Sequence, residues 1–241
     1  MDETSKLNTK KYRSAAEVGD AEAQYQLGLC CKRSDACPKD EDGEKKWADS
    51  VKQRIYWFRK AGAQGHAEAN AQLGVCYRYG IGVPKNGQAA IKRFCRAAEQ
   101  GNAYAAFSIG SMYLCGDGIP EDSEKAYSWF QKSAAMGLAA AQCMIGMRTF
   151  TREPRSSFAW YEMAAKQGDR DGLWHLAVFY EQGKIIPRDL VRAYAFYSLA
   201  DKQGWSGSFT FKKMMKLKRQ LTPEQIRSAK QFARQFAAQF P

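Results

Sequence analysis

The stretch YRYGIGVPKNGQAAIKRFCRAAEQGN, residues 77–102, contains the pattern that determines the fold. A Gly-x-Gly-Val-Pro turn is followed by an aromatic residue, paired alanines and a closing glycine. Similar closing segments, spaced by 46, 36, 36, 31 and 36 residues, end at Gly19, Gly65, Gly101, Gly137, Gly168 and Gly204. A period between 20 and 50 residues is typical of an array of stacked supersecondary units.

Other positions keep the same register within each unit. An aromatic residue stands seven positions before every closing glycine, as at Phe58 and Phe94. A closing glycine can take the left-handed conformation that ends a helix. Asp20, Asn102 and Asp169 follow directly and are preferred N-caps for the next helix. Apolar residues at i, i+4 and i+8 then form one stripe, so each unit is predicted to be a helix hairpin.

Several repeats also have glycines at two other places, in the turn between the two helices and inside the first helix. The turn at 80–84 has counterparts at 116–120 and 183–187, where the first helix of a hairpin must reverse. A phosphate-binding loop would follow a strand and provide Lys-Ser or Lys-Thr after its last glycine, and neither is present. The other glycines lie inside the first helices, where they would let a neighbouring helix approach closely: Gly28, Gly74, Gly110 and Gly146.

The repeated pattern resembles the Sel1-like repeat family, which is related to the tetratricopeptide repeats. The resemblance runs from about residue 9 to 204 and rests on Leu73-Gly74-x-x-Tyr77, the glycine turn, Lys125-Ala126-x-x-Trp129-Phe130 and the closing Ala-Ala-x-x-Gly. It implies an all-α, right-handed α-solenoid of about five hairpins that serves as a non-enzymatic adaptor or scaffold. The segment LTPEQIRSAKQFARQF, residues 221–236, resembles the capping helix of bacterial members, which implies a bacterial source.

These boundaries predict an N-terminal helix or half repeat over 1–19, repeats over 20–204 and a basic capping segment over 205–241. The predicted units are 20–65, 66–101, 102–137, a shortened 138–168, and 169–204. The first unit contains an insertion, 39–53, that we expect to form a longer loop plus extra helical turns projecting from the array. In the capping segment Thr222 is predicted to be the N-cap, with Gln225 closing a capping box. The stripe that would cover the last hairpin is Ile226, Ala229, Ala233, Phe236 and Phe240.

Candidate binding residues lie on the face of the first helices opposite the alanine–leucine stripe. In related solenoids this face lines a concave groove, so the resemblance implies a groove for a protein or peptide that carries some negative charge. The predicted groove residues, which include a basic edge at positions 32, 33 and 78, are Tyr25, Leu29, Lys32, Arg33, Val75, Arg78, Phe107, Ser111, Met147, Trp174 and Val178. The alternative is that this face packs against a neighbouring helix of the array.

The net charge of +12 is concentrated at the C-terminal end. From Trp205 onward only Glu224 opposes eight basic residues: Lys212, Lys213, Lys216, Lys218, Arg219, Arg227, Lys230 and Arg234. Because these cations alternate with Phe209, Phe211 and Phe232, nucleic-acid or acidic-partner binding is the alternative function. A solvated basic face on a capping helix would give the same pattern.

The sequence predicts no catalytic residue, no cofactor and no metal site. Its two histidines, His66 and His175, have no carboxylate or cysteine at ligand spacing, and the seven cysteines match no zinc pattern and are expected to be reduced. No apolar segment follows the polar N-terminus, and no window approaches a membrane span. We therefore expect a protein that stays in the cytoplasm unless a dedicated machine exports it. A monomer is expected, with exchange of a chain end as the alternative.

Overall fold

The structure is a computed structural model that describes residues 11–31, 41–204 and 208–240. Within these ranges every regular element is a helix, which confirms the predicted all-α class. The helices are α1 (11–17), α2 (Ala21–Cys30), α3 (Glu41–Ala63), α4 (Ala67–Tyr79), α5 (Gly87–Glu99), α6 (Ala103–Cys115), α7 (Ser123–Ala135), α8 (Ala139–Thr149), α9 (Pro154–Lys166), α10 (Arg170–Gln182), α11 (Leu190–Lys202), α12 (Ser208–Lys218) and α13 (Pro223–Ala237). None of the described helices combines the length and the apolar character that crossing a membrane requires.

Consecutive helices pack in pairs as hairpins, and the chain divides into two compact units. Unit 1 extends to Trp129 and contains the hairpins α2–α3 and α4–α5, followed by α6. Unit 2 begins at Phe130 and contains the hairpins α8–α9 and α10–α11. In unit 2 both α12 and α13 pack against α11 and end the array of helices.

The predicted helix ends are confirmed. All six closing glycines have positive φ, between +77° and +109°. Asp20 Oδ1 accepts a hydrogen bond of 2.6 Å from the amide of Ala23, and Asn102 and Asp169 cap α6 and α10 in the same way. Gly80 ends α4 in the left-handed conformation with φ +73°, so the glycine-rich stretch is a turn between helices.

Three glycines inside first helices, Gly28, Gly74 and Gly146, provide space for an aromatic ring. The Phe94 ring of α5 lies over Gly74 of α4, and a methyl group at that glycine would come within 2.6 Å of the ring. The Tyr161 ring lies over Gly146 in the same way in unit 2. We predicted the close approach of a helix, and the structure shows that a buried ring from the second helix makes it.

The insertion in the first hairpin lengthens α3 to 23 residues, compared with 13 in α5. The expectation that these extra turns project from the array is wrong for their C-terminal part. Val51 is 2% exposed and packs in one cluster with Ile55 and Leu73. Apolar residues four positions apart continue the buried stripe of α3, so the added turns enlarge the core of unit 1.

The capping helix begins as predicted. Thr222 Oγ1 accepts from the amide of Gln225, and Gln225 Oε1 accepts from the amide of Thr222, which completes the capping box. Ala229, Ala233 and Phe236 are buried in the core of unit 2. The apolar stripe of α13 therefore covers α11.

Candidate functional site

The predicted groove residues lie on the first helices of the hairpins, and we call their surfaces the first-helix faces. In unit 1 this face contains Tyr25, Leu29, Val75, Arg78, Phe107 and Ser111. In unit 2 it contains Met147, Trp174 and Val178. Lys32 and Arg33 lie outside the described residues.

The apolar members in unit 1 differ in how much surface they offer. Leu29 is 46% exposed, whereas Val75 and Phe107 are half-buried and Val75 packs against the core around α5. The Ser111 hydroxyl donates to the Phe107 carbonyl at 3.0 Å and is thus used within α6. Leu114, one turn further along, is 38% exposed. Leu29 and Leu114 are therefore the apolar side chains most available to a ligand.

Tyr25 mainly joins α2 to the following hairpin. Its ring centroid lies 4.6 Å from that of His66 and 5.8 Å from that of Phe58. Burial raises the pKa of Tyr25, with smaller contributions from Glu68 and Glu22. The phenol stays protonated at neutral pH, and most of the ring's contacts are internal.

His66 has the helix-start role that the sequence predicts. Its Nδ1 accepts from the amide of Ala69 at 3.2 Å, while its Nε2 lies 2.9 Å from Glu22 Oε2. An Nδ1 that accepts leaves the proton on Nε2, which can then donate to the carboxylate. The hydrogen bonds from His66 and Gln26 lower the pKa of Glu22. Both ring nitrogens of His66 therefore take part in hydrogen bonds within the fold.

Arg78 forms an ion pair with the turn of the next hairpin. Its Nε lies 2.9 Å from Asp117 Oδ2, and Lys85 Nζ lies 2.8 Å from Asp117 Oδ1. The hydrogen bonds from Lys85 and Arg78 hold the pKa of Asp117 below its usual range. Because this carboxylate balances it, Arg78 offers little free charge to a ligand. Our sequence analysis missed Asp117, which follows Arg78 by one repeat plus three residues.

The first-helix face of unit 2 has one prominent exposed residue. Met147 is 58% exposed, and Phe150 on the next turn is 37% exposed. Trp174 is half-buried, with its ring 4.9 Å from that of His175 and 6.4 Å from that of Tyr197. Val178 packs against the core of unit 2. Trp174 and Val178 therefore contribute to packing at least as much as to the surface.

Glu181 occupies the register position of Arg78, thirteen residues past a closing glycine, but has the opposite charge. The Tyr197 hydroxyl donates to Glu181 Oε2 at 2.8 Å, and Lys213 Nζ lies 2.9 Å from the same oxygen. Burial, together with Glu181, raises the pKa of the fully buried Tyr197. This network connects α10, α11 and α12.

The basic C-terminal residues are mostly exposed, apart from Lys213. Arg227 lies 4.0 Å from Glu224, and the other exposed cations are Lys212, Lys216, Lys218, Arg219, Lys230 and Arg234. Phe211 is 54% exposed beside them. The Phe232 ring is 5.5 Å from Phe196 and is therefore used in packing, and the side chain of Phe209 lies outside the described residues.

Unit 2 contains a buried thiol, Cys143, and a half-buried imidazole, His175. Burial, together with Asp169 3.2 Å from its Sγ, raises the pKa of Cys143, so the thiol is protonated and unreactive. Burial lowers the pKa of His175 to about 4, and its ring stacks on Tyr161 at 4.0 Å. In the part of the chain that the structure describes, no three His, Cys, Asp or Glu side chains group as a metal site.

Comparison with known families finds six matches to the Sel1 repeat. They cover residues 21–43, 55–66, 67–102, 103–138, 139–169 and 170–204. The comparison with curated proteins found no match.

Two solved structures are similar over most of the chain. A Sel1 repeat protein from Oxalobacter formigenes is 26% identical with a TM-score of 0.74, over 87% of this chain and 58% of its own length. A protective antigen of uropathogenic Escherichia coli that displays an SLR fold is 23% identical with a TM-score of 0.62. That likeness covers 95% of this chain and 56% of the antigen, and it bears on the fold alone. This chain thus spans less than two thirds of either structure.

Proposed function

Because this chain belongs to the Sel1 repeat family, we propose that it is a non-catalytic scaffold that binds a peptide or protein partner through its first-helix faces. Sel1 repeat proteins are generally protein–protein interaction scaffolds. The protonated Cys143 and the neutral, ring-stacked His175 are consistent with a role other than catalysis.

One observation carries this proposal: large apolar side chains are exposed at matching register positions. Leu29 and Met147 both stand ten residues past a closing glycine and are 46% and 58% exposed. Leu114 and Phe150 stand thirteen residues past one and are 38% and 37% exposed. Exposed apolar side chains at the same register position of different repeats are typical of residues that bind a partner, and each unit presents two such side chains on its own first helices.

The composition of these faces indicates the chemistry of the partner. Apolar side chains that are exposed but anchored on rigid helices favour a segment with apolar side chains of its own. Asp117 balances the charge of Arg78, so the described part of the unit 1 face gives limited support to selection by charge. We therefore expect apolar contacts to provide most of the affinity.

A matched pair of methionines in unit 2 tests the proposal. Met147 lies on first helix α8, whereas Met163 lies on second helix α9 and is 45% exposed. Proteins that bind the intact chain and M163K, but not M147K, would be identified by mass spectrometry. Each would then be purified, and its affinity for the intact chain and for the two variants would be measured by titration. We expect M147K to weaken binding at least about tenfold, equivalent to about 1.4 kcal/mol. Equal affinities for the two variants would contradict a role for the first-helix face.

The exposed C-terminal cations support a second candidate function, the binding of an acidic partner or nucleic acid. Lys212 and Lys216 lie one turn apart on α12 and are both exposed, as is the neighbouring Phe211. Retention on heparin that falls steeply with salt, and falls further in a K212Q/K216Q variant, would support this function. Retention that is absent or independent of salt would argue against it.

A further inference from the structure

A second cluster of charged residues lies beside α4, on the side of unit 1 formed by second helices. Arg59 on α3 donates from Nη2 to the Tyr77 hydroxyl at 3.2 Å. Arg93 on α5 donates from Nη1 to Asn70 Oδ1 at 3.3 Å. Arg96 lies three residues further along α5, which places it on the same side of that helix as Arg93. Arg59 and Arg93 thus reach two polar side chains of the same first helix, α4, and Arg96 follows Arg93 on α5.

The three positive charges act on one another. Burial lowers the pKa of Arg93, Arg96 and Arg59 lower it further, and Tyr77 acts in the opposite direction. The three side chains together contribute a formal charge of about +3 to this side of unit 1.

The described part of the chain supplies no counter-charge to this cluster. There, Arg59, Arg93 and Arg96 form no ion pair with a carboxylate, and Arg59 and Arg93 donate to the neutral oxygens of Tyr77 and Asn70. Elsewhere in the same unit Arg78 is paired with Asp117. Like charges held close together raise the free energy of the folded chain unless an anion binds between them.

The repeat fold does not require arginine at the central position. Arg93 stands eight residues before its closing glycine, where the N-terminal half repeat has Lys11 and the four other units have Trp57, Trp129, Trp160 and Phe196. An aromatic residue fits this position in the other four complete hairpins, so the arginine departs from their pattern. A charged residue that replaces a packing residue and lies half-exposed indicates a binding role.

We propose that Arg59, Arg93 and Arg96 bind a phosphate monoester carried by a side chain of a protein partner. A phosphate monoester carries close to two negative charges and three acceptor oxygens. Guanidinium groups bind such oxygens through paired hydrogen bonds. Arg59 and Arg93 both contact α4 and Arg96 lies one turn from Arg93, and such a compact group of cations suits a single dianion better than the spaced monoanions of a nucleic-acid backbone. The site lies on second helices, so it does not depend on ligand binding at the first-helix faces.

Titration calorimetry with the full chain tests the site, using four probes. They are an alanine–glycine peptide with one phosphoserine, the same peptide with glutamate at that position, inorganic phosphate, and a single-stranded oligonucleotide. We expect the phosphopeptide to bind at least about tenfold tighter than the glutamate peptide, with inorganic phosphate competing. Arg93→Gln and Arg59→Gln should each weaken phosphopeptide binding about tenfold or more. Lys92→Gln, which removes an exposed cation next to the cluster, should leave it unchanged.

Several results would overturn the assignment. Equal binding of the glutamate peptide would remove the phosphate preference, and tighter binding of the oligonucleotide would indicate a nucleic-acid site instead. Binding of inorganic phosphate without the phosphopeptide would exclude a protein source. Because Arg59 is exposed and its replacement should not affect folding, unchanged phosphopeptide binding in R59Q would remove that residue from the site even if R93Q fails to fold.

Discussion

Tyr77 in unit 1 and Tyr180 in unit 2 occupy the same register position but have different surroundings. Both stand twelve residues past a closing glycine, at the end of a first helix. The Tyr77 hydroxyl accepts from Arg59 and the Tyr180 hydroxyl accepts from Arg192, each at 3.2 Å, but the Tyr180 ring also stacks on Phe196 at 5.7 Å with an interplanar angle of 13°. The repeat therefore fixes the position of the tyrosine and leaves its neighbours on the second helices free to differ.

The difference follows from what covers the second helix. Phe196 is 2% exposed, and its ring centroid lies 5.0 Å from that of Phe236 and 5.5 Å from that of Phe232, both on α13. Arg93, its counterpart on α5, is half-exposed. Burial under α13 favours an aromatic side chain, and partial hydration permits a guanidinium. The same register position thus contributes to the core in one unit and to a charged surface in the other.

Replacing Phe196 by arginine, and Arg93 by phenylalanine, should give the largest difference in stability between the two units. Phe196→Arg would bury a guanidinium among three aromatic rings, and we expect it to destabilise unit 2 by about 4 kcal/mol. Hydrogen exchange measured by mass spectrometry should show loss of protection in α11 and α13. The reciprocal Arg93→Phe should change the protection of α5 by less than about 1 kcal/mol. Equal losses in both variants would show that the two positions are not differently covered.

Glu181, the residue after Tyr180, should contribute less to the stability of unit 2 than Phe196 does. Glu181→Ala leaves the Tyr197 hydroxyl and Lys213 without their shared acceptor, and we expect a loss of about 3 kcal/mol in unit 2. Lys212→Ala, on the same helix as Lys213 but exposed, is the control and should change stability by less than about 0.5 kcal/mol. Matching effects of the two variants on denaturant unfolding would mean that the Glu181 network does not hold α12.

The aromatic surroundings of unit 2 also predict a pH dependence. Burial lowers the pKa of His175 from an ordinary value of 6.5 to about 4, so the unfolded chain binds the proton first as the pH falls. The contribution of neutral His175 to the free energy of unfolding is therefore largest above pH 6.5 and decreases as the pH falls towards 4. Between pH 6.5 and 5 the loss should be about 2 kcal/mol. His175→Phe keeps the ring and should remove this loss, as measured by denaturant unfolding across the pH range.

The ion pair of unit 1 should give the smallest effect. Arg78→Ala leaves Asp117 paired with Lys85, so no carboxylate is left without a cation. We expect a loss of about 1 kcal/mol, detectable as faster hydrogen exchange in the turn after α6. A double variant that also replaces Lys85 should lose more than the sum of the single variants, because Asp117 then has neither partner. Strict additivity would indicate that the two cations act independently.

Features that depend on one residue and its near neighbours could be predicted from the sequence. The caps at Asp20 and Thr222 and the left-handed glycines follow from local backbone chemistry, which acts over about four residues. The ion pair of Arg78 with Asp117 joins residues 39 positions apart, so only the packing of one hairpin on the next reveals it.

The sequence predicted which helix carries each residue of the candidate site, but not how far each side chain is exposed to solvent. The register placed Leu29 and Trp174 on first helices, yet the first is nearly half exposed and the second packs between two rings. Exposure depends on neighbouring helices, which a pattern in one helix does not specify. The arginines beside α4 were missed for a related reason, since Arg59 and Arg93 belong to different repeats. The break in the aromatic pattern at Arg93 was the one available signal.

The aromatic ring seated on a glycine has a consequence for how such chains diversify. Phe94 with Gly74 and Tyr161 with Gly146 set the spacing of a hairpin through two positions that point inward. Outward positions can then change from arginine to phenylalanine without altering how the hairpin closes. A hairpin with a chosen surface could therefore be transplanted between repeat proteins as an interchangeable part, provided that this ring and its glycine move together.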